Sequence, residues 1–123
     1  MGNDRLTLVQ VALLVTYAAG MAGGQVLLKF AALRDLPEAP LAERLLGLVA
    51  NVPLAAAIVL YVGLTLLWVW ILTFTPLSRA YPFVALAFAI TPLLGGLLFS
   101  EPIGSRLLIG LALLLCGLLL IAS

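Results

Sequence analysis

Polar residues in this chain are spaced in a way that no soluble helix or strand would produce. From Leu6 to Ala32 the run is apolar except for Thr7, Gln10, Thr16, Gln25 and Lys29. A second apolar run follows Pro53, a third follows Pro76, and a fourth follows Arg106. None of the four shows the polar stripe of a surface helix, and each is close to the roughly 20 residues that a helix rising 1.5 Å per residue needs to cross a hydrocarbon core about 30 Å thick. The pattern predicts four membrane spans over residues 6–32, 53–74, 77–99 and 106–122. The expected fold class is therefore an all-α membrane protein, one four-helix transmembrane domain over residues 1–123.

The connections are short. Arg34, Asp35, Pro37, Glu38, Pro40, Glu43 and Arg44 form the only hydrophilic stretch, and within it Leu41, Leu45, Leu46, Leu48 and Val49 recur at near-helical spacing. That spacing predicts a turn or two of helix at the lipid–water interface. Thr75-Pro76-Leu77-Ser78 is tight enough to predict that spans two and three are antiparallel neighbours. Trp68 and Trp70 lie towards the end of span two, where interfacial aromatics are common. Pro82 and Pro92 each remove a backbone donor from span three, so that span is expected to kink or unwind locally.

Composition agrees with lipid as the solvent. Hydrophobic residues make up 65% of the 123-residue chain and charged residues 9%, with mean hydropathy +1.30. A soluble domain of this size buries only about 60–70% of its unfolded surface and could not conceal that much apolar area. The start of the chain carries Leu6 where a myristoylation signal prefers a hydroxyl residue. It imitates a secretory signal up to Gly20, but the apolar run continues through Leu28, which favours a retained span. Counting basic residues sets Lys29, Arg34, Arg44 and Arg106 on the side of the first and third connections against Arg5 and Arg79 on the other. The margin shrinks if Lys29 is intramembrane, and the count leaves orientation open, dual insertion included.

Charge and cysteine content exclude several functions. A net charge of +1 without a basic run gives no footprint for nucleic acid. One cysteine, Cys116, and no histidine argue against a disulfide, a transition-metal site or any other cofactor. No pairing of nucleophile and base suggests an enzyme. No acidic residue lies between Asp4 and Asp35 or between Glu43 and Glu101, so no carboxylate sits in mid-membrane to exchange a proton for a cation.

The polar residues that remain are therefore the candidates. Gln25 and Lys29 are one helical turn apart and share a face; Lys29 either snorkels from a helix end or, with Gln25, offers an anion-binding face. Arg79 opens span three beside Tyr81 and Pro82, as a terminal anchor or as a second anion contact. Glu101 and Arg106 flank the last turn and are expected to pair with each other as capping structure. Small residues supply the other signal: Gly20 and Gly24 in span one, and Gly110 and Gly117 in span four, are spaced for close helix approach. Four thin helices enclose little space, so the chain is expected to act as a dimer of eight helices, with Gly110 and Gly117 at the dimer contact.

Gly24-Gln25-Val-Leu-Leu-Lys29, Ala80-Tyr81-Pro82 with Leu86 and Phe88, and Ser100-Glu101-Pro102-Ile-Gly-Ser105-Arg106 together resemble the drug/metabolite transporter superfamily (EamA-like half). Within it the chain is similar to the small multidrug resistance proteins and, more closely, to the subunits of the undecaprenyl-phosphate aminoarabinose flippase. The multidrug branch carries an essential glutamate about two turns before the lysine, where this chain has Gly20, Met21 and Ala22. It also carries an aromatic residue three positions after the tyrosine, where this chain has Val84.

The resemblance implies a multi-pass transporter of the bacterial inner membrane that moves an anionic polyprenyl-phosphate-linked sugar, as a homodimer or a heterodimer with a similar four-helix subunit. Gln25, Lys29, Arg79 and Tyr81 would bind substrate, and Pro82, Pro92, Glu101 and Arg106 would be structural or hinge positions. The rival expectations are a small-molecule exporter of the multidrug type and a non-transporting subunit of a glycolipid-modifying complex.

Overall fold

The computed structural model describes residues 6–34 and 38–122; Asp4, Arg5, Asp35 and Pro37 lie outside the described residues. The described chain is built from helices: α1 (Leu8–Leu33), α2 (Leu41–Val49), α3 (Val52–Leu72), α4 (Leu77–Ala80), a 3-10 turn (Tyr81–Phe83), α5 (Val84–Phe99) and α6 (Ser105–Ala122). Four stretches, Leu8–Leu33, Val52–Leu72, Leu77–Phe99 and Ser105–Ala122, are long and apolar enough to cross a membrane. Their bounds match the four expected spans to within about two residues at each end.

Two amides clip α1 to α3. At one end Thr7 and Gln10 form a capping box, Gln10 N–H donating to Thr7 Oγ1 (3.2 Å) and Thr7 N–H to Gln10 Oε1 (2.8 Å). The same Gln10 side chain donates through Nε2 to the Phe74 carbonyl (2.9 Å) and to Thr75 Oγ1 (3.1 Å) in the turn after α3. At the opposite end Asn51 caps α3, its Oδ1 accepting from Leu54 N–H (3.2 Å), while its Nδ2 donates to the Ala31 carbonyl of α1 (3.0 Å). A helix N-terminus has spare donors and a helix C-terminus has spare acceptors. An amide offers an acceptor and a donor at once, so a single side chain serves both ends where antiparallel helices meet.

Between the clips the helices approach closely on small residues. Ala18 and Ala22 of α1 and Ala57 of α3 are fully buried. Gly20 lies against Leu64, whose Cδ2 would be 2.7 Å from an added Cβ. The glycine pair of span one is thus used within the chain. α1 packs chiefly on α3 and then on α5, and α6 leans on α5 and the 3-10 turn. The expectation that spans two and three are packed neighbours is corrected here. They run antiparallel, but α3 meets span three mainly at α4, and the body of α5 lies along α1 instead. α1, with Ala18 and Ala22 fully buried, accepts a helix on each side.

Pro82 acts as expected, converting one turn of span three to 3-10 geometry. Pro92 does not break its helix: α5 continues through it, leaving the Phe88 carbonyl without its usual α-helical donor. α2 forms over the stretch where a turn or two of helix was expected, is amphipathic and buries none of its residues against the rest of the described chain. Trp70 is exposed, but Trp68 is drawn inward, its ring 4.8 Å from Tyr17 and 6.4 Å from Tyr81. Below these rings Leu14, Ile71, Ala80, Phe83 and Leu118 form the main buried cluster.

Candidate functional site: a polar groove between α1 and α5

Gln25 and Lys29 project from α1 into a groove closed on its other side by α5. A cavity of about 200 Å³ is lined by Gln25, Lys29, Thr91 and Glu101 with Val26, Gly95 and Phe99. A second cavity, about 320 Å³, shares Gln25 and Thr91 with it and continues past Met21, Phe88 and Pro92. The groove is thus polar at the end of the first and third connections and largely apolar towards the middle of the helices.

Glu101 enters it from the loop. Ser100 ends α5 in the left-handed region at φ 55°, which lets Glu101 N–H bond back to the Gly95 carbonyl (3.4 Å). Gly95 has no side chain, so the carboxylate lies on the helix surface: an added Cβ would be 2.5 Å from Glu101 Oε1. From there Glu101 Oε2 reaches Lys29 Nζ at 3.2 Å, and both side chains remain about half exposed (42% for Lys29, 47% for Glu101). Lys29 also sits over the Phe99 ring at 5.9 Å. The expected pairing of Glu101 with Arg106 is therefore corrected, because the left-handed turn sends the carboxylate across α5 to α1 while Arg106 stays exposed on α6.

Behind the groove Gln25 is held by a residue that spacing did not single out. Tyr61 of α3 lies over Gly24, accepts a hydrogen bond from Gln25 Nε2 (2.9 Å) and donates its own hydroxyl to the Met21 carbonyl (3.1 Å). The signal available in the sequence was a lone tyrosine in an apolar span, which needs a partner for its hydroxyl. By contrast Thr16 and Thr65 return their hydroxyls to their own helices, to the carbonyls of Ala12 and Tyr61 (2.8 Å each), and carry no site.

Arg79 and Tyr81 are elsewhere. They flank Ala80, which belongs to the same buried cluster as Leu14, and Lys29 is roughly 20 Å further along α1. Among the described residues Nε and Nη2 of Arg79 are shielded from solvent and have no hydrogen-bond partner. Tyr81 is largely exposed and edges onto Trp68. The four expected substrate residues therefore divide into two pairs, one towards each end of the bundle.

α6 lines a third, apolar groove of about 460 Å³ with Pro82 and Ala85, bordered by Gly110, Leu114 and Gly117. Open space faces both glycines.

Comparison with known proteins agrees with the flippase side of the resemblance. Over 70 residues the chain is 31% identical to the "Probable 4-amino-4-deoxy-L-arabinose-phosphoundecaprenol flippase subunit ArnE" of Hamiltonella defensa subsp. Acyrthosiphon pisum (strain 5AT), covering 57% of this chain and 63% of that protein. The chain is similar to ArnE flippase subunits. The ArnE proteins of the same name from Sodalis glossinidius (strain morsitans) and Enterobacter sp. (strain 638) are 35% and 34% identical over 66 and 70 residues, covering 54% and 57% of this chain. The match spans 60% and 65% of those two ArnE chains, so under two thirds of the relatives' length is represented. No family model and no solved structure matches the chain.

Proposed function

We propose that this chain is a subunit of a lipid flippase of the bacterial inner membrane, moving a polyprenyl-phosphate-linked sugar between leaflets. The observation that carries the reading is the Arg79 guanidinium, with two donors out of solvent and no acceptor among the described residues. Buried donors of this kind are costly unless an acceptor arrives, and a phosphate matches their planar fork. The groove at Lys29 and Gln25 offers a second contact towards the other end, so the headgroup would have one basic station near each leaflet while its prenyl chain stays in lipid. The ArnE relatives' printed names support the same substrate class.

Substrate movement along this path needs no nucleotide site in the chain, which has no Gly-rich phosphate loop. A similar four-helix subunit would complete the assembly, seated against α6 at Gly110 and Gly117, where closely approaching helices find room. Reconstituting the protein in vesicles and following a labelled polyprenyl-phosphate sugar tests the proposal. Wild type should translocate the lipid, and Arg79→Ala and Lys29→Ala should each lower the rate by about tenfold or more. Failure of a folded wild-type assembly to move any lipid-linked sugar would overturn it.

A further inference from the structure

We infer that Gln25, Phe88 and Thr91 form a binding site for an alkali-metal cation, sodium or potassium, in the larger of the two cavities between α1 and α5. That cavity, about 320 Å³, is lined by all three residues together with Met21, Ala87 and Pro92. Each of the three brings an oxygen that the helices leave unused. The Gln25 amide is oriented from behind. Tyr61 spends its one hydroxyl proton on the Met21 carbonyl (3.1 Å), so towards Gln25 it can only accept, and Gln25 must present Nε2 to it (2.9 Å). Gln25 Oε1 is thereby turned away from Tyr61, and it accepts no hydrogen bond among the described residues.

The other two oxygens come from α5. Pro92 has no N–H, so the Phe88 carbonyl loses its α-helical donor, and both residues line the cavity. Thr91 follows Phe88 by about one turn. The hydroxyls of Thr16, Thr65 and Thr73 each donate to a carbonyl three or four residues back, but that of Thr91 makes no hydrogen bond among the described residues. Bare acceptors at membrane depth are costly and are kept where a cavity brings them a partner. An amide oxygen and a carbonyl oxygen cannot donate, so they turn phosphate oxygens away and attract a cation. Among the described residues no carboxylate lines this cavity, so a divalent ion lacks the charged ligands that usually hold it, whereas neutral oxygens suit a monovalent one. Helix carbonyls released from their usual bonds hold such ions in secondary transporters. Water fills the positions on the open side. Lys29 in the adjoining cavity does not bar the ion, because Glu101 meets its charge at 3.2 Å. On the flippase reading the ion lies beside the headgroup station at Lys29 and offsets the charge of a phosphate drawn there. Ion and anionic lipid then each tighten the binding of the other.

The test uses the full-length chain with any co-purifying subunit in phosphatidylcholine nanodiscs. Equilibrium binding of radioactive sodium, and of radioactive rubidium standing in for potassium, is measured by scintillation proximity in N-methylglucamine buffer. Wild type should bind one or both saturably, and the tighter one names the ion. Thr91→Val replaces the hydroxyl by a methyl of similar shape, and Pro92→Ala returns a donor to the Phe88 carbonyl; each should weaken binding about tenfold or more. Thr91→Ser should retain it. Pro92→Ala restores a helical hydrogen bond, so its loss of binding is separable from unfolding, which circular dichroism checks. Added polyprenyl phosphate should tighten ion binding by about threefold or more.

Absence of saturable binding of either ion by folded wild type overturns the inference and leaves the flippase reading standing, as does unchanged affinity in either Thr91→Val or Pro92→Ala. Ion binding that the lipid leaves unchanged overturns the coupling. Ion binding by an assembly that moves no lipid-linked sugar overturns the flippase reading and keeps the site.

Discussion

Tyr61 crosses α1 directly over Gly24, so closely that a Cβ there would lie 2.6 Å from its Cζ and 2.7 Å from its hydroxyl oxygen. The missing side chain is what allows the hydroxyl to reach both Gln25 and the Met21 carbonyl. Gly24→Ala should displace the ring and destabilise the protein by about 1–3 kcal/mol, the usual range for overpacking. Replacing the obstacle as well, in Gly24→Ala with Tyr61→Leu, should cost less than the sum of the single changes. Thermal unfolding in detergent micelles measures the cycle, and strict additivity would show that the two residues do not press on each other.

Asn51 performs two jobs with one amide, and Asn51→Asp separates them. The carboxylate keeps the cap on α3 but loses the donor that meets the Ala31 carbonyl. A loss of about 0.5–1.5 kcal/mol is expected, the usual net worth of one hydrogen bond, since the Ala31 carbonyl keeps the Arg34 N–H (3.1 Å) as its other donor. A stability equal to wild type in the same unfolding assay would remove the clip from the account of α1–α3 packing.

Ser100 is the one non-glycine residue at positive φ among the described residues. Ser100→Gly should relieve roughly 1 kcal/mol of left-handed strain and raise the unfolding temperature. Gly95→Leu should do the opposite to the site, driving Glu101 off the helix surface and away from Lys29. Crosslinking between Lys29 and Glu101 by a zero-length carbodiimide reads this out: wild type and Ser100→Gly should crosslink, and Gly95→Leu should lose most of the yield.

Gly110 and Gly117 face open space. Gly110→Leu and Gly117→Leu should therefore leave the stability of the isolated subunit within about 0.5 kcal/mol of wild type, as surface changes do. If a second subunit seats there, the same changes should reduce recovery of dimer on blue native gels by severalfold. Unchanged dimer recovery would locate the contact on another helix.

What the sequence determined by itself was the set of elements and their medium. Twenty-residue apolar runs, charges at their ends, and a proline at position 82 act within a few residues, and the structure has the four expected helices with a 3-10 turn at Tyr81–Phe83. Candidate side chains were legible for the same reason, since an amide and an ammonium one turn apart must share a face of α1.

Which residues meet across the bundle was decided by tertiary structure alone. Whether Glu101 paired with Arg106 five positions away or with Lys29 on the first helix depended on one left-handed residue and one bare glycine surface. That Tyr61 backs Gln25, that α5 chooses α1 over α3, and that Lys29 and Arg79 lie far apart are likewise consequences of helix packing. The physical reason is range. Helix formation and lipid burial depend on local composition, whereas partner choice depends on where small residues let two distant backbones approach.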